Sequence, residues 1–185
     1  HVIFNVTTTC LLLPFVKHLV RFSRFVIKDK TEKKEEFTLR YVDERLLSMA
    51  PVALMQVKKE IEYMMSLVEK NIGLSFYAEE TKSIDDGDEI HKNEDIIDFT
   101  NTALTDFLIR LSVDVEQSDE TVIGSYFHVL NDLERIGDHA ENFFGIVEDM
   151  SRKKLSFSAQ AQEKVRKMYD KVTEMFSVSR EAFET

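Results

Sequence analysis

The chain has 185 residues, with one cysteine, no tryptophan, five glycines and two prolines. One cysteine forms neither an internal disulfide nor a zinc cluster, and so few turn formers exclude a β-rich fold; Leu, Met, Lys, Glu, Phe and Ala favour helix. The formal charge of −10 is uneven, with seven basic and four acidic residues over 1–36 (net +3) and 17 and 30 over 37–185 (net −13). An acidic body of that size repels phosphate backbones, which excludes a nucleic-acid partner.

Val2 to Val16 carries no charge, and Lys17, Arg21, Arg24, Lys28 and Lys30 then arrive among Leu19, Val20, Phe22, Phe25, Val26 and Ile27. The uncharged run is shorter than the roughly 20 residues that span a bilayer. Its threonines can bond to their own helix, however, and the basic flank follows the positive-inside rule. Residues 1–27 therefore read as the end of a transmembrane segment with its basic flank, or as a buried helix followed by an amphipathic one. A secretory signal is excluded, because its basic residues would precede the apolar run. Residues 28–42 read as a polar linker, with no apolar side chain from Lys28 to Glu36.

A helical body is expected over 43–185. The first helix covers about 43–76 on the stripe Leu47, Leu54, Val57, Ile61, Met64, Val68 and Ile72, with Pro51 starting or kinking it. After a turn at 81–88, Ile90, Ile97, Leu104, Leu108 and Leu111 mark a second helix to about Val113. Asp114, with Gln117 three residues on, is a candidate N-cap for a third, ending near Arg152. Its apolar seam is Val122, Tyr126, Val129, Leu133, Ile136, Ala140, Phe143, Val147 and Met150. Ser156 or Ser158 caps a fourth, with Val165, Met168, Val172, Met175 and Phe183 on one face. Short connections between long helices give an all-α antiparallel bundle.

Two acid pairs border these seams. At about 100° per residue, Glu134 and Asp138 lie about 100° and 140° from Leu133, and Glu94 and Asp98 lie about 60° and 100° from Ile97. Two antiparallel helices so marked bring four carboxylates together. Like charges near a seam raise one another's pKa and oppose packing unless a cation joins them. A metal held by Glu94, Asp98, Glu134 and Asp138 is one solution; a solvated flank balanced by Arg135, Lys58 and Lys59 is the other. His91 is the histidine on the side of Glu94, whereas His128 and His139 fall on the flank opposite Glu134. No Gly-rich phosphate loop, Walker lysine, Cys-x-x-Cys or His-Glu-x-x-His motif is present, nor an identifiable nucleophile. The chain reads as a non-enzyme.

The run Asn131-Asp132-Leu133-Glu134-Arg135-Ile136-Gly137-Asp138-His139-Ala140-Glu141-Asn142 resembles the signature of PhoU-like domains, helical bundles associated with phosphate uptake. His1 to Thr9, followed by Leu11-Leu12-Leu13-Pro14-Phe15, is similar to the last membrane segment of bacterial sodium-dependent phosphate cotransporters that end in such a domain. Pro51 to Leu54, Val57 to Ile61 and Leu155 to Ser158 resemble further helices of that family. The resemblance implies a PhoU-like three-helix repeat plus the start of a second, preceded by a hydrophobic transmembrane helix. It also implies metal (Fe, Mn, Zn or Mg) on Glu94, Asp98, Glu134 and Asp138. It places the helical body on the cytoplasmic side of the cell membrane in a multi-pass protein. There it would be the regulatory or coupling domain of its own upstream transport domain, which handles phosphate and sodium, with self-association allowed. The alternative is a soluble PhoU-like adaptor that negatively regulates phosphate uptake and signalling through a partner protein.

Overall fold

Pro51 sets the start of the first long helix. It has no N–H to donate, so it suits the first turn of a helix, where that donor lacks an intrahelical partner. Accordingly α1 runs Ala50–Thr81 with Pro51 in its opening turn. The computed structural model describes residues 37–185. Ahead of α1, Glu44–Ser48 forms a short 3-10 turn, capped by Asp43 Oδ1 accepting from the Arg45 N–H at 2.9 Å. Then come α2 (Gly87–Leu111), a 3-10 turn (Ser112–Asp114), α3 (Gln117–Arg152) and α4 (Ala159–Glu184). The Ser158 hydroxyl accepts from the Ala161 N–H at 3.3 Å and caps α4.

Pairings between elements give the directions. Arg110 meets Glu44 and Lys70 meets Glu89, so α2 returns antiparallel to α1. Gly87 lies against Phe144 and His91 against Glu141, so α3 returns antiparallel to α2. Arg180 reaches Glu69 at 2.7 Å and Arg166 reaches Glu80 at 3.6 Å, which lays α4 antiparallel along α1. Val57, Ile61, Met64 and Val68 of α1, Ile97, Leu104 and Leu108 of α2, and Leu130, Leu133 and Ala140 of α3 make the main core. Each of the Val, Ile, Leu and Met side chains among them stabilises the fold by roughly 1.5–3 kcal/mol when fully buried. At the far end Ala78, Ile90, Phe144 and Val147 form a second cluster. A Cβ on Gly87 would lie 3.0 Å from the Phe144 ring, so the missing side chain lets α2 and α3 close there.

Buried polar groups set the register of the three helices. Asn71 donates to the Ile90 carbonyl at 3.0 Å and Asn93 donates to Asn71 Oδ1 at 2.9 Å. Ser75 Oγ donates to the Ala140 carbonyl at 2.8 Å. A one-turn slip would leave the Asn71 and Asn93 amides unpaired in the core, at about 1–3 kcal/mol each, while Ser75 would keep only its bond to the Asn71 carbonyl. Glu60, also buried, accepts from the backbone N–H groups of Arg40 and Tyr41 at 2.8 and 2.7 Å and ties the entering chain to α1. Burial pushes its carboxyl above the usual range, and those two N–H groups oppose the rise.

The structure corrects the expected fold in several places. The described residues form an all-α bundle of four helices in place of a three-helix repeat behind a transmembrane helix. No helix among them is long and apolar enough to cross a membrane. Residues 1–27, where that helix was expected, and the linker as far as residue 36 lie outside the described residues. The first long helix begins at Ala50 instead of near residue 43, because Pro51 favours the first turn. The third begins at Gln117, with Glu116 and not Asp114 at the N-cap position.

The apolar face of α3 is also wider than its predicted seam. Ile123, Leu130, Gly137 and Phe144 are buried beside Leu133, Ala140 and Val147, whereas Val129, Ile136 and Phe143 are only half-buried. The buried centre is therefore turned toward the acid flank. On α4 only Phe176 is buried among the described residues, while Met168 and Met175 of the expected stripe are exposed.

Candidate acidic site on the seam between α2 and α3

The turn of the α3 face toward its acid flank places Gly137 against α2. There is no room for a side chain: a Cβ at Gly137 would stand 2.8 Å from Glu94 Oε2 and 3.3 Å from Ile97 Cδ1. The Glu94 side chain is consequently pressed between the helices. It is 5% exposed, and neither carboxyl oxygen has a hydrogen-bond partner among the described residues. Burial, then the charges of Asp98, Glu141, Asp138 and Glu134, pushes its pKa up to about 8. At neutral pH this carboxyl is mostly protonated, which avoids the much larger cost of an unpaired buried charge.

The neighbours surround this acid at the surface. Asp98 is exposed, and Glu134, Asp138 and Glu141 are half-buried. Burial and then Asp138 raise Asp98; burial, Asp138 and Asp98 raise Glu134, with the Arg135 guanidinium opposing. His91 Nδ1 lies 2.6 Å from Glu141 Oε1, so this histidine pairs with Glu141 and not with Glu94. Lys58, expected as a counter-charge, instead donates to the Glu184 carbonyl at the end of α4.

Glu94, Asp98, Glu134 and Asp138 thus share one electrostatic neighbourhood. The expected metal, whether Fe, Mn, Zn or Mg, is nevertheless corrected. Among the described residues no group of three or more His, Cys, Asp or Glu side chains is placed to hold a metal ion. Close packing at Gly137 draws the Glu94 carboxyl into the seam, and the other carboxylates do not converge with it on a single point. Sequence reasoning missed two members. Glu141 continues the acid flank three residues after Asp138, and that spacing is its signal. Gly137 sits between the acid pair, and its lack of a side chain is what admits Glu94.

A seam of this kind defines a class, a helical bundle module with a charged flank and no catalytic constellation among the residues that line it. The PhoU domain family model matches residues 61–147, from the middle of α1 through α2 to near the end of α3. That stretch contains every residue of the acid seam. PhoU domains are regulatory and non-catalytic, and the match is consistent with a non-enzyme assignment. No curated protein and no solved structure matches the chain significantly.

These findings overturn the cotransporter reading. What matches is a PhoU domain, and no described helix can cross a membrane. Coupling to an upstream transmembrane transport domain, symport and ion transport, the multi-pass cell-membrane placement and the metal-binding role are all corrected with it.

Proposed function

We propose that this protein is a PhoU-like adaptor, a helical module that restrains phosphate uptake and its signalling by binding a partner protein. The observation that carries this reading is the PhoU domain match over 61–147, which spans the three mutually packed helices and the acid seam they build. On this reading Asp98, Glu134 and Asp138 make the charged face that the partner meets, around the buried Glu94. Burial, and after it the repulsion of neighbouring carboxylates, holds Glu94, Asp98 and Glu134 above their ordinary pKa values. A basic side chain from the partner, set beside Asp98, Glu134 and Asp138, would relieve that repulsion and gain a charge-assisted contact.

The test is genetic. Cells lacking the gene for this chain should take up labelled phosphate faster in phosphate-rich medium and leave a phosphate-responsive reporter switched on. The parent gene should reverse both effects, and an Asp98→Asn, Glu134→Gln, Asp138→Asn triple variant should reverse neither. Uptake and reporter that ignore the deletion would refute the adaptor reading. Full rescue by a stably expressed triple variant would refute the role of the acid face.

A further inference from the structure

The two faces of α4 are unequally used. Tyr169, Val172, Phe176 and Phe183 pack on the bundle, yet Met168 and Met175 stay 48% and 69% exposed. Across from Met175, α3 presents the half-buried Val129 and Ile136, the part of its apolar face that α1 and α2 do not cover. Between the two helices lies an open groove of about 470 Å³, with Met65 of α1, Leu133 and Phe176 in its walls. Two of its apolar residues are methionines, whose unbranched, polarizable side chains adapt to varied partners.

Charge distinguishes this groove from the rest of the surface. Residues 37–185 carry net −13, from 17 basic and 30 acidic residues. The charged and titratable side chains in the groove are Arg135, Arg180 and His139 against the single acid Asp132. Arg180 divides its guanidinium between Glu69 and Glu184. Arg135 makes no ion pair among the described residues. An acidic segment would be repelled from most of this domain and admitted here.

We propose that the α3–α4 groove binds an amphipathic helix of a partner protein, with apolar anchors at i, i+3 or i+4, and i+7 and acidic residues flanking them. The groove has the form of a helix-in-groove site: an apolar trough between two helices, with charge at its edge to choose the partner. The anchors fill the space between Ile136 and Met175, and the flanking carboxylates meet Arg135 and Arg180. This inference names partner chemistry for the adaptor reading and rests on it. It is tested by binding in solution, without phosphate uptake, so the two can fail separately.

The probe is a fluorescein-labelled 18-residue helical peptide with leucines at i, i+3, i+4 and i+7 and glutamates on both flanks, compared with the same peptide carrying lysines. Fluorescence anisotropy with the full chain should show the glutamate peptide binding at least tenfold more tightly. Met175→Glu, at an exposed position, should weaken that binding at least tenfold with circular dichroism unchanged. Arg135→Glu should remove most of the preference for glutamate. Equal binding of both peptides, or tighter binding of the lysine form, would overturn the proposal. So would binding indifferent to both substitutions, or a dimer in sedimentation that Met175→Glu dissolves, since a second copy would then occupy the groove.

Discussion

The two flanks of α3 handle unsatisfied chemistry in opposite ways. Toward α2 the helix offers carboxylates, and close packing at Gly137 draws one acid, Glu94, out of water without a hydrogen-bond partner. Toward α4 it offers Val129 and Ile136, and looser packing leaves them beside an open groove. The polar flank is thus closed over its most costly group, while the apolar flank stays partly open. A tightly packed polar seam and a loosely packed apolar one on the same helix separate stability from recognition. The first is sensitive to protonation, and the second has apolar surface left to contribute to binding.

The largest effect should come from truncating the residue between the flanks. Leu133, 4% exposed, belongs to the main core, and Leu133→Ala should cost roughly 2–5 kcal/mol in urea unfolding. A loss below about 1 kcal/mol would mean that the two flanks do not share this core.

Smaller, and confined to the acid flank, is the response to pH. Glu94 has its folded pKa raised from 4.5 to about 8, so the folded state holds a proton that the unfolded chain releases. Its contribution is complete below about pH 4.5, falls as pH rises and is gone above about pH 8. Asp98 and Glu134 are shifted the same way. Denaturation midpoints measured across pH 5 to 8, a range chosen inside that window, should decline in the parent and decline less in Glu94→Gln. Parallel curves would show that Glu94 is not the proton-linked group.

At Gly137 the close approach of the two helices comes down to one atom. Gly137→Ala puts a Cβ 2.8 Å from Glu94 Oε2 and should cost about 1–3 kcal/mol by overpacking. In a Glu94→Ala background the cost should shrink, because only the 3.3 Å approach to Ile97 Cδ1 remains to set against the gain of up to about 1 kcal/mol from replacing a mid-helix glycine. A double-mutant cycle in urea reads the coupling, and additivity would contradict the close approach. The smallest effect should come from the groove, where Met175 is 69% exposed. Met175→Ser should change stability by no more than about 0.5 kcal/mol, and a larger loss would mean that α4 depends on that side chain for docking.

Local features of the chain foretold much of this arrangement. Pro51 marked the head of α1, Ser158 is the observed cap of α4, and the third helix ends at Arg152 where its apolar periodicity runs out. Glu94, Asp98, Glu134 and Asp138 were legible as seam-bordering acids because a fixed angle per residue places them there. What periodicity could not supply was the breadth and centre of each face. The stripe through Val122, Val129, Ile136 and Phe143 is regular, but burial follows Ile123, Leu130, Gly137 and Phe144. A helix with apolar residues over a wide arc satisfies several stripes equally well, and only its neighbours select one.

Composition and local signals were enough for the helical state, the uneven charge, the Ser158 cap and the end of the third helix at Arg152, since propensity, capping and charge act over a few residues. The sequence also carried the acid motif within a run that resembles PhoU-like domains. Helix-against-helix packing was needed to bury Glu94 and hold it mostly protonated, to bring Glu141 into its surroundings, to keep the carboxylates from converging as metal ligands, and to leave a groove between α3 and α4. Each of these depends on the rotation and spacing of one helix against another. Long-range packing sets that rotation and spacing, down to the one missing side chain at Gly137.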